Sequence, residues 1–278
     1  MSIGENNTAL AELQQSFILP TMVDNGGFSS EDLDEERDGL QMSFQRVKIP
    51  TGGALQFEIP SEDPDHPDYA PTLVGVILFN HSANAYWPTG SEYEDDTNPI
   101  CSSVDGKMGY GDPGGFCADC ALNEFGTDGK GKACKNMRQL YLLRSGDFLP
   151  LQLTLSPTSI KPYKEFYNAS FAVRRRGTCG SVVEIGLKRV DNKVNVYSVA
   201  TFKKLFDFEG EQLAQVKAIA DGFKEQIKTM LQQRAVENAN RPNDGLGDED
   251  AFEVTGDGES FVITGGSVLN GEREKLPA

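Results

Sequence analysis

Apolar and polar residues alternate along much of the chain, in short segments that are separated by turn residues. This period of two is typical of half-buried strands. The pattern predicts seven strand segments, the third of which is one long strand or two consecutive ones: 42–48, 55–59, 72–87, 138–144, 149–155, 181–190 and 194–202. Ser145, Gly146 and Asp147 lie between the fourth and fifth segments and predict a hairpin turn.

Two other segments have the three- and four-residue spacing of an amphipathic helix. In 160–171 the repeating residues are aromatic, and serine and threonine hydroxyls precede them as candidate caps. In 212–234 a continuous apolar stripe contains Leu213, Val216, Ile219, Phe223, Ile227 and Leu231. The second stripe predicts a surface that packs against a core.

The order of these elements predicts a mainly β protein with α additions. We expect an OB-like barrel core at 41–235, with an inserted zinc-binding loop at 101–134 and a C-terminal amphipathic helix. Residues 1–40 are polar and acidic, which predicts a flexible N-terminal arm. Residues 236–278 are rich in Asn, Asp, Gly and Glu, which predicts an acidic and largely disordered tail.

The charge of the chain is unevenly distributed. The whole chain has a formal net charge of −16, which argues against a polyanionic partner. Residues 129–204, however, contain 15 Lys or Arg against four Asp or Glu, a net charge of +11. This basic segment predicts a cationic surface on an otherwise acidic protein.

Four of the five cysteines lie within 34 residues, at Cys101, Cys117, Cys120 and Cys134. The spacing C-x15-C-x2-C-x13-C, with glycine-rich loops around the central pair, is typical of a zinc knuckle. Four thiolates complete a tetrahedral sphere and leave no open position. The spacing therefore predicts a structural Zn2+ ion rather than a catalytic one.

Other interpretations of the cysteines stay open. The four could form two disulfides or never meet, but no signal-peptide pattern opens the chain, which favours reduced thiols and a cytoplasmic location. His66 or His81 could replace an outer cysteine as a ligand. Cys179 is expected to be a buried or half-buried thiol rather than a nucleophile, because only two histidines could serve as its base.

The basic segment interleaves its cations with aromatic residues. Lysine and arginine neutralise phosphates, and aromatic faces stack on unpaired bases for roughly 1–3 kcal/mol each. The combination predicts a groove for single-stranded nucleic acid. The candidate binding residues are Lys130, Lys132, Lys135, Arg138, Tyr141, Arg144, Lys161, Tyr163, Lys164, Arg174, Arg175, Arg176, Lys188, Arg189 and Tyr197.

These residues also have plainer interpretations. The aromatic rings could pack in the core, and Arg174, Arg175 and Arg176 could complement the dipole at the end of the predicted 160–171 helix. Acidic residues at 92–96 could bind Mg2+ in a nuclease or form a solvated face. The glycine clusters at 109–115 and 129–132 lack the strand and helix context of a nucleotide-binding loop.

In its architecture the chain resembles phage-encoded single-stranded DNA-binding proteins of the T-even helix-destabilising type. The shared features are the predicted β core, the knuckle, the basic and aromatic segment and the acidic C-terminal region. The segment Cys117-Ala-Asp-Cys120 with Gly129-Lys-Gly-Lys-Ala-Cys-Lys135, followed by 149–155 and 157–161, is also similar to phage replication-region proteins. Cys101 takes the place of a histidine ligand in the T-even type.

Together these observations predict a non-enzymatic protein that binds single-stranded DNA without sequence preference in replication or recombination, in a bacterial host cell if phage-encoded. The acidic tail could compete for the cationic surface or bind replication or recombination proteins. No membrane partner is expected, because the longest apolar stretch is far shorter than the roughly 20 residues of a membrane span. The alternatives are a zinc-stapled adaptor or virion component with an acidic recognition face, and a metal-dependent nuclease.

Overall fold

The computed structural model describes most of the chain between residues 43 and 240. The described residues are 16–20, 43–49, 52–63, 65–87, 99–129, 131–193, 195–240, 253–255 and 262–264, with the single residues Glu12 and Glu36. Strands predominate over helices, so the protein is mainly β.

The described strands are β1 (Arg46–Val47), β2 (Phe57–Ile59), β3 (Asp68–Ala70), β4 (Thr72–Tyr86), β5 (Cys101–Ser103), β6 (Met108–Gly111), β7 (Gly115–Phe116), β8 (Cys134–Leu143), β9 (Leu151–Leu155), β10 (Ser181–Asp191), β11 (Val196–Asp207), β12 (Glu253–Thr255) and β13 (Val262–Thr264). The helices are α1 (Pro157–Ser170) and α2 (Gly210–Asn240). Short 3-10 turns lie at Ala121–Asn123, Ala172–Arg174 and Thr178–Gly180.

One mixed sheet of nine strands is built around the 15-residue strand β4. On one side β4 pairs with β8, which pairs with β9, and β9 pairs in parallel with β1. On the other side the first part of β4 pairs with the β10–β11 hairpin, and its last residues pair with β5, followed by β6 and β7. Within the described residues no sheet is closed, so the predicted OB-like barrel is not confirmed.

Helices cover both faces of the sheet, which gives a physical reason for its open shape. On one face, called the α1 face, Tyr163 of α1 packs into a core with Leu140 and Ile185. On the opposite face, called the α2 face, Val216 and Ile227 of α2 are buried in two further clusters. A sheet that is covered on both faces buries its apolar side chains without curling into a barrel.

Helix α1 begins at Pro157, three residues before the predicted start. Proline suits the first helical position because it has no N–H to leave unpaired there. The aromatic stripe packs on β11, where the ring centroids of Tyr163 and Phe166 lie 5.3 and 5.5 Å from that of Phe202. The helix predicted at 160–171 is therefore confirmed.

Helix α2 confirms the prediction at 212–234 and continues to Asn240. Its extension and the antiparallel pairing of β12 with β13 add structure to the predicted tail at 236–278. The remaining tail residues lie outside the described part of the chain. No helix among the described residues is both long and apolar enough to span a membrane.

The described stretch 16–20 belongs to the core, in contrast to the flexible arm predicted for 1–40. Phe17 and Leu19 are buried on the α2 face, and the Phe17 ring lies 5.8 Å from the Phe208 ring between centroids. The backbone N–H of Ile18 donates to the Ser145 hydroxyl at 2.9 Å. Other residues of 1–40, apart from Glu12 and Glu36, lie outside the described part.

A buried polar cluster joins β8 to β9 on the α2 face. Gln139 is 1 % exposed, and its Oε1 accepts hydrogen bonds from Gln152 Nε2 at 3.2 Å and from Thr154 Oγ1 at 2.6 Å. On the α1 face the same two strands pair Leu140 with Leu153 and Leu142 with Leu151, and Arg138 with Leu155 at the end of the ladder. The two faces of this strand pair therefore differ sharply in polarity.

Candidate metal centre and nucleic-acid interface

The sheet brings the four clustered cysteines to one end of β4. Tyr86 pairs with Cys101 of β5 on one side and with Cys134 of β8 on the other. Cys117 directly follows β7, and Cys120 immediately precedes a 3-10 turn. Strand pairing therefore positions the outer two cysteines, and the loop between them positions the inner two.

All four cysteine side chains line one enclosed cavity of about 10 Å3. That volume accommodates about one water-sized sphere. All five cysteines of the chain are free thiols in the structure, which therefore contains neither of the two disulfides considered as an alternative. The side-chain amide of Asn123 donates to the Cys117 carbonyl at 2.7 Å and ties the inner pair to the turn that follows it.

Gly109 leaves room for two of these sulfur atoms. A Cβ at this position would lie 3.1 Å from the Sγ of Cys101 and 3.7 Å from the Sγ of Cys117. The first distance is shorter than ordinary van der Waals contact, so a larger residue would push the Cys101 sulfur aside. The absence of a side chain at Gly109 allows both sulfurs to approach the same backbone.

The thiols also influence one another electrostatically. Burial raises the pKa of the Cys134 thiol to about 12, and the nearby Cys117, Cys101 and Cys120 contribute in the same direction. Four thiolates are the donor set of a structural zinc site. No group of three or more His, Cys, Asp or Glu side chains within the described ranges could hold a metal ion as it stands. Zinc at this cavity is therefore a proposal.

The other candidate ligands and the fifth cysteine lie elsewhere. The Nδ1 atom of His66 lies 2.8 Å from the Asp63 carboxylate in an exposed loop, and His81 contacts Tyr141 on the α2 face. Neither histidine lines the cysteine cavity. Cys179 is half-buried against the α2-face core, and burial raises the pKa of its thiol, as expected for an unreactive cysteine.

Lys132 and Lys135 both have side-chain partners in the cysteine-rich loop. The Lys132 Nζ lies 5.0 Å from the centroid of the Phe125 ring and donates to Asn123 Oδ1 at 3.1 Å. The Lys135 side chain is only 12 % exposed, and its Nζ lies 2.7 Å from the Asp128 carboxylate. Lys130 lies outside the described residues. A phosphate would have to compete with Asp128 for Lys135.

The half-buried Arg138 of β8 contacts the buried ring of Tyr163 on α1. The Arg138 guanidinium lies 5.6 Å from the centroid of the Tyr163 ring, and its Nε donates to Asn80 Oδ1 at 2.7 Å. Tyr163 is 4 % exposed, and burial raises its pKa to about 12. The faces of the Tyr163 ring contact the core in this structure, and its stacking on a base stays a prediction.

Tyr141 lies on the other face of the sheet, beneath α2. It is 1 % exposed, and its ring packs edge to face against Phe44 with centroids 5.1 Å apart. His81 Nε2 lies 3.2 Å from the Tyr141 hydroxyl, and burial lowers the pKa of that histidine. The Tyr141 ring is likewise packed in the core, and its binding to nucleic acid stays a prediction.

We expect Tyr141→Phe to leave affinity for a poly-dT oligonucleotide unchanged while it lowers the free energy of unfolding by about 1 kcal/mol. The substitution removes one buried hydrogen bond and keeps the ring. Urea unfolding and fluorescence-anisotropy titration measure the two quantities on one preparation. Weakened DNA binding with unchanged stability would contradict the assignment of this ring to the core.

The arginine triplet after α1 divides into structural and exposed members. Arg176 donates to the carbonyl oxygens of Gly180, at 2.7 Å, and Phe208, so it fastens the turn to the core. Arg174 lies 3.3 Å from the Asp207 carboxylate but stays 58 % exposed. Arg175 is exposed. The prediction that all three bind phosphate is least supported for Arg176, whose half-buried guanidinium already donates to two backbone carbonyls.

Asp207 is the acidic centre of this region, because three cations surround it. Its carboxylate lies 2.7 Å from Lys204, 3.3 Å from Arg174 and 3.7 Å from Arg176. Partial burial alone would raise the Asp207 pKa, but hydrogen bonds from Lys204 and Ser181 and the nearby positive charges outweigh it, so the pKa is lowered.

We expect Asp207→Asn to lower the free energy of unfolding by about 1 kcal/mol at pH 7. The lowered pKa means that the carboxylate stabilises the folded state above its unfolded pKa of about 3.9, and that this contribution is lost as the pH falls through the folded value. Urea unfolding at several pH values should show the gap between parent and variant shrinking below about pH 4. A gap that is constant with pH would contradict this role.

Several predicted cations remain exposed. Arg144 is half-buried, and its Nε lies 2.6 Å from the Asp147 carboxylate. Lys188 and Arg189 are exposed near the tip of the β10–β11 hairpin, where neighbouring residues of a strand point to opposite faces. Tyr197 is half-buried opposite Val190. The predicted residues therefore do not form a single groove.

The most coherent cationic area consists of Lys161, Lys164, Arg174 and Arg175, and we call it the helix–turn surface. Glu165 is the only exposed acid on α1 and the turn after it, and its carboxylate lies 4.0 Å from Lys161. Lys161 and Lys164 lie one helical turn apart on α1, and Arg174 and Arg175 lie in the turn that follows its C-terminal end. A flexible polyanion could follow them along the helix.

Tyr167, Phe116 and Phe125 are exposed aromatic residues that are absent from the candidate binding residues. Tyr167 is 38 % exposed on the helix–turn side of α1, while Phe116 and Phe125 of the cysteine-rich loop are 65 % and 81 % exposed. Tyr167 looked like part of the buried stripe because it follows Phe166 directly. The two phenylalanines lie in glycine-rich segments without periodicity, and this absence of a pattern was the available signal.

No family model, curated protein or solved structure was found to match this chain. Its function is therefore inferred from the geometry and charge of its own residues.

Proposed function

We propose that this protein binds single-stranded DNA without sequence preference and is not an enzyme. The helix–turn surface supports the proposal, because its four cations are exposed and only two of them are paired, Lys161 with Glu165 and Arg174 with Asp207. Unpaired lysine and arginine side chains bind phosphates through counterion release, which does not depend on the bases. The role is binding and organising DNA in replication or recombination.

Aromatic stacking is supplied by Tyr167 in this proposal. Its ring is partly exposed and lies one helical turn from Lys164, so one nucleotide could place its base on the ring and its phosphate on the lysine. A single exposed ring adds roughly 1–3 kcal/mol per stacked base. Tyr167 replaces the core rings of Tyr141 and Tyr163 in the role that the sequence assigned to them.

Zinc supports the fold in this proposal and does not contact DNA. Cys101, Cys117, Cys120 and Cys134 would hold the ion at their shared cavity, and the ion would cross-link a loop that has few buried apolar side chains of its own. Such a site stabilises the folded state because the unfolded chain does not offer four converging thiolates.

Titration of the purified protein with a poly-dT oligonucleotide at several salt concentrations tests the proposal. Four phosphate contacts on a single strand predict a slope of about −3 for the logarithm of the affinity against that of the salt concentration. An RNA oligonucleotide and a DNA duplex of the same length serve as matched ligands. A slope near zero, or preference for the duplex, would overturn the proposal.

A protein–protein adaptor is the second candidate. It is favoured by an open groove on the cysteine-rich loop that contains Asp112 and Asp119 together with apolar side chains. The near-zero salt slope that would overturn DNA binding would favour this adaptor. Product formation from DNA in the presence of Mg2+ would instead indicate the nuclease. Partners of the acidic tail would bind mainly outside the described residues.

A further inference from the structure

The cysteine-rich loop carries a second cavity beside the thiol cavity. It is an open groove of about 640 Å3, and its lining includes the apolar side chains of Ile100, Phe116 and Leu122. Ile100 is 41 % exposed and Phe116 is 65 % exposed, although both are apolar. A groove of this volume lies within the range of binding pockets, and its apolar lining suits an apolar side chain of a partner.

The charge of the groove defines the partner further. Asp112 and Asp119 line it, and no Lys, Arg or His is present among the lining residues that the structure describes. Two unpaired carboxylates repel phosphates and attract cations. The groove therefore fits a peptide segment in which an exposed apolar side chain is flanked by arginine or lysine.

The turn after α1 is a segment of this kind. Val173 is 80 % exposed, and the exposed Arg174 and Arg175 follow it directly. Arg176 fastens the turn to the carbonyl oxygens of Gly180 and Phe208. The three exposed residues are therefore presented from a fixed backbone, which lowers the entropy cost of docking.

One chain cannot bring its own turn into its own groove. Thr178, which closely follows the turn, donates its hydroxyl to the carbonyl of Ile77 at 2.9 Å, whereas Tyr86 at the far end of the same strand lines the groove. The nine residues from Ile77 to Tyr86 span about 30 Å of β4. The two surfaces therefore lie far apart along the longest strand.

We propose that the turn 172–175 of one copy docks into the Asp112–Asp119 groove of a second copy, so that the chains associate head to tail. Val173 enters among Ile100, Phe116 and Leu122, and the two arginines pair with the two carboxylates. Because the contacting surfaces differ, the contact is heterologous, and a pair of copies retains one free groove on one copy and one free turn on the other. The association goes beyond DNA binding and does not require DNA.

Sedimentation velocity of the full chain without nucleic acid tests this contact. The weight-average sedimentation coefficient should rise with protein concentration and fall when salt screens the ion pairs. A groove variant, Asp112→Lys with Asp119→Lys, and a turn variant, Arg174→Asp with Arg175→Asp, should each weaken self-association by about tenfold or more. Val173→Asp provides a third variant that keeps both arginines. Circular-dichroism melting verifies that each variant is folded.

Mixing the groove variant with the turn variant is the decisive measurement. The groove variant keeps a native turn and the turn variant keeps a native groove, so the mixture should associate although neither variant does so alone. A parent that stays monomeric at all concentrations, self-association that survives in both variants, or a mixture without a dimer would each overturn the proposal.

The groove variant also separates this inference from DNA binding. Asp112 and Asp119 do not belong to the helix–turn surface, so the groove variant should bind a short poly-dT oligonucleotide at least as well as the parent. A parent that self-associates but does not bind poly-dT would overturn the proposed function and leave the head-to-tail contact standing. A parent that binds poly-dT but does not self-associate would overturn the head-to-tail contact and leave the proposed function standing.

Discussion

Replacement of Cys117 and Cys120 by serine is expected to release bound Zn2+ and to lower the melting temperature by about 10 °C. The two substitutions remove half of the proposed ligands, and a hydroxyl does not replace a thiolate on zinc. The nine-stranded sheet has its own core, so we expect a loss of about 3 kcal/mol rather than complete unfolding. For a chain of this size each kcal/mol corresponds to roughly 2–4 °C.

Calorimetry and elemental analysis of the zinc content measure this result on the protein purified with zinc present. Cys179→Ser is the matched control, because it removes the one cysteine that lies outside the cavity and should keep one zinc ion per chain. A double variant that retains one zinc ion per chain and has the same melting temperature as the parent would show that these thiols hold no structural metal.

Removal of Lys161, Lys164 and Arg175 together, each replaced by alanine, is expected to weaken poly-dT binding on the order of 100-fold at low salt. The three side chains contribute most of the free positive charge on the helix–turn surface. Their loss should make the salt slope shallower by about 2, because each phosphate contact on a single strand contributes about 0.7.

The control for this variant removes the same charge from the opposite face. Lys217, Lys224 and Lys228 lie on α2, across the sheet from α1, and their replacement by alanine changes the net charge equally. The α2 variant should bind poly-dT nearly as well as the parent. Equal losses in the two variants would indicate a general effect of net charge and would contradict a binding surface on α1.

The regular elements of the fold could be predicted because each follows a local pattern. The alternation in β8, β10 and β11 and the stripe on α2 are visible within about ten residues of sequence. The parallel pairing of β1 with β9 and the placement of the helices on opposite faces depend on contacts between distant residues. Element order alone therefore suggested a barrel where the chain forms an open, covered sheet.

The binding residues were harder to predict because closeness in sequence does not define a surface. Arg138 and Tyr141 are three residues apart in β8, so their side chains lie on opposite faces of the sheet. That separation was readable from the period of two. The ion pairs of Asp207 could not be predicted from the sequence, because this residue follows the basic segment and comes close to Arg174 only in the folded chain.

The cysteine spacing was the most informative feature of the sequence. The short step from Cys117 to Cys120 is local, and the outer two cysteines were expected to close the same site. The structure places all four around one cavity. It also shows why the outer pair meets the inner pair, since Cys101 and Cys134 flank Tyr86 in adjacent strands.

The buried amides of β8 and β9 have a consequence for folding fidelity. Leu151, Leu153 and Leu155 alternate along β9, so a slip of two residues that sets Leu155 opposite Leu140 and Leu153 opposite Leu142 would still place leucine against leucine on the α1 face. On the opposite face the same slip would separate Gln139 from Gln152 and Thr154 and leave polar groups dehydrated without partners. The amide cluster thereby discriminates against an otherwise degenerate misalignment.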